Sequence, residues 1–467
     1  MPERFALVLA AAMLPAAAIA QTTRPVAPID TSRPAVLNVA EFASIPDVDG
    51  QVARMMLLID EPGTKRLFVN DMRGPIYGVS YDGKTVTLYV DVNDSTWGVN
   101  VQSQGRERGV QSFAFHPQFG QAGASGYGKF YTWADSRNNQ GAADFLPGGG
   151  SNTHHTVLHE WTARNPAAAT YDGEAPREIF RFEQPFSNHN GGMAAFNPLA
   201  RPGTADFGLL YVGIGDGGSG GDPLNSAQNL ANGFGKIFRI DPLGRDSKNG
   251  KYGIPKSNPF ADARTPEALR EIFAYGFRNP QRFAWDPKNG NMFVSDIGQG
   301  IIEEINLVTA GANLGWNVWE GSFRYAGRQG VDATNPRGDP KMTFPLAEYV
   351  HGDPSMSSRA AITGVHVFRG GAIQALRNKV MFGDMPSGEI LYFDADNLPK
   401  GGSQDVHRVL LKGPDGQPAR LLDLIRQQNT KQGKTPAGRA DLRFGAATDG
   451  RVFLLNKADG TIRVLVP

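Results

Sequence analysis

Short apolar runs rich in β-branched and aromatic residues recur along the chain, and few segments follow the 3.6-residue period of an amphipathic helix. Several runs are joined by an Asp-Gly or Asn-Gly pair, which is typical of a tight β-hairpin turn. These pairs stand at residues 82–83, 289–290, 449–450 and 459–460. The pattern predicts a protein built from antiparallel β-hairpins. Two segments predict a short helix, residues 421–428 and residues 265–272, the latter with Thr265 as its cap and Pro266 in its first turn.

One strand ending recurs along the chain. Several apolar residues are followed by a small or polar residue and then by Asp, and a last run of the same kind ends in Asn. The six endings lie at Asp71, Asp135, Asp216, Asp296, Asp384 and Asn456. Six such endings, irregularly spaced, favour radial repetition of a four-stranded unit. Six units would have about 74 residues each, which exceeds the length of a minimal four-stranded unit, so long loops must be inserted. We predict that residues 39–467 form one all-β domain, a six-bladed β-propeller with long inserted loops. A β-sandwich also explains short strands, but not this recurrent ending.

The chain begins with a short polar segment, and residues 5–20 are then uninterrupted apolar or small, ending Ala18-Ile19-Ala20. Small residues at the last and third-last positions suit signal peptidase, and the run is too short for a membrane span. We therefore expect residues 1–20 to be a signal peptide and the mature protein to be periplasmic or secreted, without a membrane span. A retained anchor or a buried helix is the alternative, since Glu3 stands where basic residues are usual. Residues 21–38, rich in Pro, Thr and Ala, predict a linker.

Composition narrows the classes of function. The 467 residues carry a formal net charge of +1 and no dense run of Lys or Arg, so the charge does not favour a nucleic acid or an acidic membrane as partner. There are no cysteines, which excludes disulfides, thiolate metal sites and cysteine nucleophiles. The candidate chemistry therefore comes from other polar side chains and from backbone groups.

Two clusters suggest a base and its partner. His189 is flanked by Asn188 and Asn190 and followed by two glycines, which allow a ligand to approach the backbone closely. An imidazole in this setting can remove a hydroxyl proton, although a lone His is more often structural. Asp216 follows a β-type run within a glycine-rich segment, where its carboxylate can orient a His and stabilise the protonated ring. The segment lacks the Gly-Lys-Ser/Thr of a phosphate loop, and a flexible turn is the alternative interpretation.

Two further clusters suggest a stabiliser of negative charge and a cation site. Arg278 lies in the aromatic run YGFRNPQRF, and its planar donor fork suits a developing oxyanion, with a structural ion pair as the alternative. The Gly298-Gln299-Gly300 turn exposes backbone carbonyls, which are hard oxygen ligands suited to Ca²⁺.

Other conspicuous residues are interpreted as structural. His154, His155 and His159 have no further ligand motif that would make them a metal site. Trp316 and Trp319 are predicted to pack in the core rather than to form a sugar platform.

The order of these clusters resembles the soluble glucose and sorbosone dehydrogenase family, including its pyranose dehydrogenase and hedgehog-interacting-protein-like branches. The resemblance covers nearly all of the chain after the predicted signal peptide. Each stretch is modest alone, but their joint order is specific. The stretches are RERGV at 106–110, FAFHP at 113–117, HNGG at 189–192, GDGG at 215–218, NLANGFGKIFRIDP at 229–242, YGFRNPQRF at 275–283, NLGWNVWEG at 313–321, FGD at 382–384 and RFG at 443–445.

The resemblance implies a six-bladed propeller that holds pyrroloquinoline quinone (PQQ) above its central tunnel and oxidises a sugar. His189 is then the general base for the sugar hydroxyl, with Asp216 as its partner, and hydride passes from the sugar carbon to the quinone. Arg278 stabilises the negative charge on the quinone oxygen, with Asn279 beside it on the cofactor.

The resemblance also implies a Ca²⁺ ion that polarises PQQ and is held by the main-chain carbonyls of Gly298 and Gln299. Glu107 stands where glucose-oxidising relatives carry a Gln that faces the sugar, and Asn188 stands where they carry an Asp. The chain has no Cys-x-x-Cys-His for haem attachment, so electrons must leave to an external acceptor.

The sequence departs from the glucose-oxidising members at the cofactor. Those members place a Lys near the position of Pro386, two Arg near residues 438–440, and a Gln where Ile297 stands. The candidates for replacement charge are Arg359, Arg439, Arg443 and Lys457. The departures match the hedgehog-interacting-like branch, some of whose members bind proteins and are not enzymes.

We therefore expect PQQ- and Ca²⁺-dependent oxidation of a sugar, and two alternatives stay open. One is a non-catalytic propeller that binds a partner and has lost PQQ. The other is a metal-dependent lactone hydrolase, which would hold its ion with side-chain carboxylates and amides at the tunnel axis rather than with backbone carbonyls.

Overall fold

The structure is a computed structural model, and it describes residues 24–262, 266–356 and 359–467. The predicted signal peptide over residues 1–20 lies outside the described residues, and so does Thr265, the predicted cap of one short helix. None of the described helices is long and apolar enough to cross a membrane.

The strands form one 13-stranded sheet, three four-stranded sheets and one three-stranded sheet. Within the large sheet, two parallel strand pairs join three antiparallel groups of four strands. We describe these three groups and the three four-stranded sheets as six antiparallel units. The first strand of the chain, β1 (Asp30–Ser44), belongs to the last unit. Unit 1 contains β2 (Met55–Glu61), β3 (Arg66–Asp71), β4 (Pro75–Ser80) and β5 (Val86–Asp91). Unit 2 contains β6 (Val110–Phe115), β7 (Lys129–Ser136), β8 (His154–Thr162) and β9 (Arg177–Gln184). Unit 3 contains β10 (Ala194–Phe196), β11 (Leu210–Ile214), β12 (Lys236–Ile240) and β13 (Ile272–Tyr275).

The second half of the chain adds the other three units and a small inserted sheet. Unit 4 begins with β14 (Pro280–Trp285), β15 (Met292–Asp296) and β16 (Ile302–Val308). A three-stranded sheet of β17 (Trp319–Glu320), β18 (Phe323–Tyr325) and β19 (Val331–Asp332) follows, and β20 (Ala347–Val350) completes the unit. Unit 5 contains β21 (Ile362–Phe368), β22 (Lys379–Asp384), β23 (Ile390–Asp394) and β24 (His407–Lys412), and β25 (Pro418–Ala419) pairs with β24. After the helix α1 (Leu421–Lys431), unit 6 contains β26 (Arg443–Ala446), β27 (Val452–Leu455) and β28 (Thr461–Val466).

The first strand of the chain closes the last unit. β1 pairs antiparallel with β28, with Val39 opposite Leu465, and parallel with β24, with Ala35 opposite Val409. The prediction of a linker over residues 21–38 is therefore wrong from Asp30 onward. The physical reason is that β28 and β24 offer unpaired backbone groups at their edges, and β1 satisfies both.

The units contact one another in chain order. Apart from the pairing of β1 with β24, the main contacts between consecutive units involve the first strand of at least one of them, and β26 of unit 6 pairs in parallel with β2 of unit 1 at Leu58 and Gly445. Hydrophobic cores lie between neighbouring units, as where Phe68 of β3 packs with Phe113 of β6 and Phe130 of β7. Burial of a side chain of this size contributes about 1.5–3 kcal/mol. Each unit is therefore stabilised by its neighbours.

One end of the units collects the loops that carry chemistry. Met55 at the start of β2 pairs with Asp71 at the end of β3, and Pro280 at the start of β14 pairs with Asp296 at the end of β15. Loops that enter a unit and loops that follow its second strand therefore emerge together, at what we call the entry end. All six predicted strand endings lie on a second strand or within two residues after it.

Local predictions of turns and helices have mixed outcomes. The four predicted Asp-Gly and Asn-Gly turns connect β4 to β5, β14 to β15, β26 to β27 and β27 to β28. The helix predicted over residues 421–428 is confirmed as α1. The other predicted helix is wrong over its described residues, because residues 266–271 form turns and Ile272 starts β13, where it pairs with Phe238 of β12.

Candidate active site

His189 and Asp216 meet at the entry end of unit 3. His189 lies in the loop between β9 and β10, and Asp216 lies two residues after β11. The Nδ1 atom of His189 is 2.7 Å from Oδ1 of Asp216, and both side chains are buried. The two loops approach closely at Gly215, where a Cβ atom would lie 2.2 Å from the carbonyl oxygen of His189. Glycine is therefore required at this position for the pair to form.

Further hydrogen bonds hold the Asp216 carboxylate in place. Its Oδ2 accepts from Nε1 of Trp316 at 2.8 Å, and its Oδ1 also accepts from the backbone N–H of Gly218 at 2.9 Å. Burial raises the pKa of Asp216, but the neighbouring His189 and Arg278 outweigh it and keep the pKa below its usual value. Asp216 is therefore ionised, as stabilisation of a protonated imidazole requires.

The other ring nitrogen of His189 is available for chemistry. Nε2 makes no hydrogen bond to any described residue. The backbone N–H of His189 donates to Oε2 of Glu107 at 3.0 Å, and Oδ1 of Asn188 accepts from the backbone N–H of Ser219 at 3.2 Å. Glu107 and Asn188, the residues expected near a sugar, thus border the histidine but use these oxygens on protein groups.

Arg278 comes from the loop that enters unit 4. Its Nε donates to Oε1 of Gln299 at 3.1 Å, and its Nη1 donates to the carbonyl of Ile297 at 2.8 Å. No carboxylate among the described residues lies within ion-pair distance of it, so the structural ion pair considered above does not form. Its backbone N–H donates to Asp296, as does that of Asn279, at 2.9 and 2.6 Å. Both residues are thus held beside Asp296 at the entry end of unit 4.

The turn over residues 298–300, which is the candidate Ca²⁺ site, is held through the backbone N–H groups of Gly298 and Gly300, and two of its carbonyls are unused. Glu320 accepts from the backbone N–H groups of residues 300–302 through a single carboxylate oxygen, at 2.8 to 3.0 Å. The carbonyls of Gly298 and Gln299 accept no hydrogen bond from the described residues. Hard oxygens held in this way suit a Ca²⁺ ion. The buried Oδ1 of Asn279 also has no described partner, which fits a polar ligand next to Arg278.

Two side chains have contacts in the site that the sequence analysis missed. Trp316 is buried as predicted, but its N–H binds Asp216 and its ring centroid lies 5.9 Å from the guanidinium carbon of Arg278. Oε1 of Gln299 accepts from Arg278 and from the backbone N–H of Gly221 at 2.9 Å. Nothing in the local pattern marks these contacts, because each joins residues about 20 to 100 positions apart.

Three of the four candidate replacement cations lie near one another beside unit 6. Arg443 is buried at the start of β26, and Arg439 pairs with Asp441 at 2.6 Å. Lys457 donates to the carbonyl of Arg106 at 3.2 Å, and burial together with Arg443 lowers its pKa. Arg359 is exposed, just before β21. The positions at which relatives carry Lys and Arg are adjacent here, since the backbone N–H of Ala440 donates to the carbonyl of Pro386 at 2.9 Å.

The three histidines on β8 do not form a cluster of ligands. Nε2 of His154 lies 3.4 Å from Oδ1 of Asp135, whereas Nδ1 of His155 lies 3.2 Å from a guanidinium nitrogen of Arg181. Among residues 24–262, 266–356 and 359–467, no three His, Asp or Glu side chains are arranged to hold a metal ion.

Comparison with known proteins identifies the family of the chain. The model of the glucose/sorbosone dehydrogenase family matches residues 54–419. This chain belongs to that family. Among family relatives, the HIPL1 protein of Arabidopsis thaliana is 28% identical over an alignment of 442 residues that covers 87% of this chain and 60% of HIPL1. Human hedgehog-interacting protein is 28% identical over an alignment of 229 residues that covers 48% of this chain and 29% of that protein. This glucose/sorbosone dehydrogenase family member thus spans less than two thirds of these curated relatives.

Solved structures show the fold of the family member. The PQQ-bound aldose sugar dehydrogenase of Streptomyces coelicolor superimposes with a TM-score of 0.57 at 20% identity, over 94% of this chain and 99% of that one. The soluble aldose sugar dehydrogenase of Escherichia coli in its apo form gives a TM-score of 0.60 at 18% identity, over 92% and 99%. The family member therefore has a mostly β fold of the kind formed by PQQ dehydrogenase propellers.

Proposed function

We propose that this family member is a six-bladed propeller that oxidises a sugar with PQQ and Ca²⁺ and passes the electrons to an external acceptor. The observation that carries the proposal is the 2.7 Å contact of His189 with an ionised Asp216, beside an Arg278 that lacks a carboxylate partner among the described residues. Oxidation of an alcohol by hydride transfer needs a base for the hydroxyl proton and a cation for the charge that builds on the acceptor.

Each residue has a distinct part in this reaction. PQQ, when bound, supplies the quinone that accepts the hydride. His189 takes the hydroxyl proton at Nε2, because Nδ1 is bound to Asp216. Asp216 keeps the ring in this tautomer and stabilises it once it is protonated. Arg278 presents a permanent cation whose Nε and Nη1 are bound by Gln299 and Ile297, so little reorganisation is needed when negative charge develops.

The backbone carbonyls of Gly298 and Gln299 are the proposed Ca²⁺ ligands, and the amide of Asn279 is proposed to contact the cofactor. Both ideas are supported by atoms that accept no hydrogen bond from the described residues. Glu107 and Asn188 are proposed to face the sugar from their places beside His189.

Architecture and location are part of the proposal. The six four-stranded units are proposed to be the blades, closed by β1 in unit 6. The protein is proposed to act in the periplasm or outside the cell, on the basis of residues 1–20. N-terminal sequencing of the exported protein should then begin at Gln21 or within a few residues, and a mature chain that keeps residues 5–20 would contradict export by cleavage.

The test of function is reconstitution. The purified protein is incubated with saturating PQQ and CaCl₂, and reduction of an electron-accepting dye is followed with a panel of aldoses. We expect sugar-dependent dye reduction that is lost when EDTA removes Ca²⁺, together with a higher melting temperature in the presence of PQQ.

The binding-propeller alternative is favoured by the relatives HIPL1 and hedgehog-interacting protein and by Pro386, which stands near the position where glucose-oxidising members carry a Lys. It makes the opposite prediction. Neither dye reduction with any aldose nor a PQQ-dependent change in melting temperature would be observed, and that result would replace the dehydrogenase proposal.

A further inference from the structure

Two buried arginines from different units lie close to the candidate active site. Arg282 is the third residue of β14 in unit 4, and Arg443 is the first residue of β26 in unit 6. Their exposed fractions are 5% and 3%. The family resemblance described above assigns no role to Arg282. We refer to the two residues as the arginine pair.

Arg282 reaches across to the first strands of units 1 and 2. Its Nη2 donates to the carbonyl of Met56 at 3.0 Å and to that of Gln111 at 3.4 Å. Met56 and Arg443 each lie two residues before the parallel pair Leu58–Gly445. The guanidinium of Arg282 therefore lies level with the start of β26, which is Arg443. The two positive charges thus face the same region near the entry end.

Neither arginine is neutralised by the protein. No carboxylate among the described residues lies within ion-pair distance of either one. Nη1 of Arg443 donates to the carbonyl of Leu442 at 2.7 Å, and its buried Nε has no described partner. Two carboxylates act on Arg443 from beyond ion-pair distance and only partly offset its charge: Asp441, which pairs with Arg439, and Glu107, which accepts from the backbone N–H of His189.

Carbonyl groups satisfy hydrogen bonds but do not cancel charge. Two buried like charges without a counter-ion are unfavourable, because burial removes water and each charge repels the other. In agreement, burial and the neighbouring Arg443 lower the pKa of Arg282 to about 9, and burial lowers the pKa of Arg443 to about 10. Both side chains are still cationic near neutral pH, so an anion is missing from this region.

We propose that the arginine pair is an anion-binding site and that its ligand is a carboxylate group. A carboxylate matches the guanidinium fork, and one carboxylate placed between two guanidinium groups removes both the repulsion and the unused Nε donor. The group can come from a small free carboxylate or from PQQ, which itself carries carboxylates. In the second case the inference deepens the proposed function and rests on it.

The first test uses the protein without PQQ or Ca²⁺, in a buffer of low ionic strength, with sodium formate as the probe. The melting temperature of the wild type should rise saturably with formate, by roughly 2 °C or more. Arg443→Gln should melt at a higher temperature than the wild type before formate is added, because the repulsion is gone, and should lose the saturable rise.

Arg463→Gln is the matched control. Arg463 is equally buried in unit 6, on β28, but it forms an ion pair with Asp459 at 2.7 Å. Its replacement should lower the melting temperature and leave the response to formate unchanged. A wild type that does not respond to formate, or an Arg443→Gln variant that responds as the wild type does, would overturn the proposal.

A second measurement needs no variant. The ¹³C resonance of labelled formate should broaden on addition of wild-type protein and sharpen again with excess acetate, and an unbroadened line would overturn the proposal. Repeating the melting experiment with PQQ and Ca²⁺ separates the two sources. Loss of the formate response identifies a cofactor carboxylate as the ligand, and an unchanged response identifies a small free carboxylate. Because the formate tests contain no quinone, their outcome is independent of whether PQQ binds.

Discussion

The environment of the His189 ring is asymmetric, as its proposed role as a base requires. One ring nitrogen is bound to Asp216, which is itself bound by Trp316 and by the backbone of Gly218, while the other nitrogen makes no hydrogen bond to the described residues. A series of three polar groups thus sets the tautomer and the orientation of one ring. Replacing a group in this series should affect chemistry much more than stability.

The first residue-scale prediction concerns the base and the cation in the reconstituted enzyme. His189→Ala should lower kcat by about 10²–10⁴-fold, the range typical of losing a general base. Arg278→Ala should also lower kcat, and Arg278→Lys should recover little, because an ammonium group lacks the guanidinium fork. Steady-state kinetics at saturating PQQ and Ca²⁺, with melting temperatures as the control for folding, are the measurement. Full activity in His189→Ala would show that another group is the base.

The second residue-scale prediction assigns a positioning role to Trp316. Trp316→Phe keeps an aromatic ring near Arg278 but removes the N–H that donates to Asp216. The charged form of Asp216 loses a hydrogen bond, so its pKa rises, and the acid limb of the pH–kcat profile should move to higher pH by roughly one unit. Trp319→Phe is the matched control, because the buried N–H of Trp319 has no described partner. Equal profiles for the two variants would contradict the role of Trp316.

At the scale of elements, unit 6 is assembled from both ends of the described chain. β1 lies between β28 and β24, so the last unit is held together by residues more than 350 positions apart in sequence. Its faces differ, since Leu37 packs in a core with Leu411 and Leu465, whereas Val36 is 47% exposed. A segment that the composition predicts to be a linker is therefore a structural strand.

Substitutions on the two faces of β1 test this directly. Leu37→Ala should lower the free energy of unfolding by about 2–5 kcal/mol, because it leaves a cavity in the core. Val36→Ala, one residue away, should change it by less than about 0.5 kcal/mol, as is usual for exposed positions. Denaturant titration of both variants gives the comparison. If the two substitutions are equally neutral, the segment does not contribute to the core.

At the scale of the whole molecule, acid stability reflects histidines that are buried without charge. Burial lowers the pKa of His116, His155 and His159 to about 4, well below that of an unfolded chain. The unfolded chain binds these protons near pH 6.5 and the folded chain does not. The stabilisation is therefore complete above about pH 6.5 and is lost as the pH falls towards 4.

His159→Gln isolates one such contribution from the other groups that titrate in this range. Its stability should fall less steeply with decreasing pH than that of the wild type, by up to about 1.4 kcal/mol per pH unit. The difference in melting temperature between the two proteins should therefore shrink between pH 7 and pH 4.5. A difference that does not vary with pH would show that His159 is not kept neutral by burial.

Features that depend on short segments could be predicted from the amino-acid sequence alone. Hairpin turns were predictable because Asp-Gly and Asn-Gly pairs set the local backbone, and α1 was predictable from its apolar period. His189, Asp216 and Arg278 were also singled out in advance, and the structure places them near one another, while their catalytic roles stay predictions. Each joins a reactive group to a strand end or a glycine-rich loop, and such loops converge at one end of a repeated β architecture.

Features that depend on contacts between distant parts of the sequence became clear only in the folded structure. β1 became a strand because β24 and β28 supply edges, whereas residues 266–271 form turns that lead into the pairing of β13 with β12. Trp316 could not be distinguished from an ordinary core residue until Asp216 and Arg278 were seen on either side of it. The arginine pair likewise exists only because Arg282 of unit 4 reaches the first strands of units 1 and 2, and the first strand of unit 1 pairs with the strand that carries Arg443. A local sequence pattern encodes the preference of the backbone for a turn, helix or strand. The pairing of strands and the balance of buried charges depend on contacts that form only when the chain is folded.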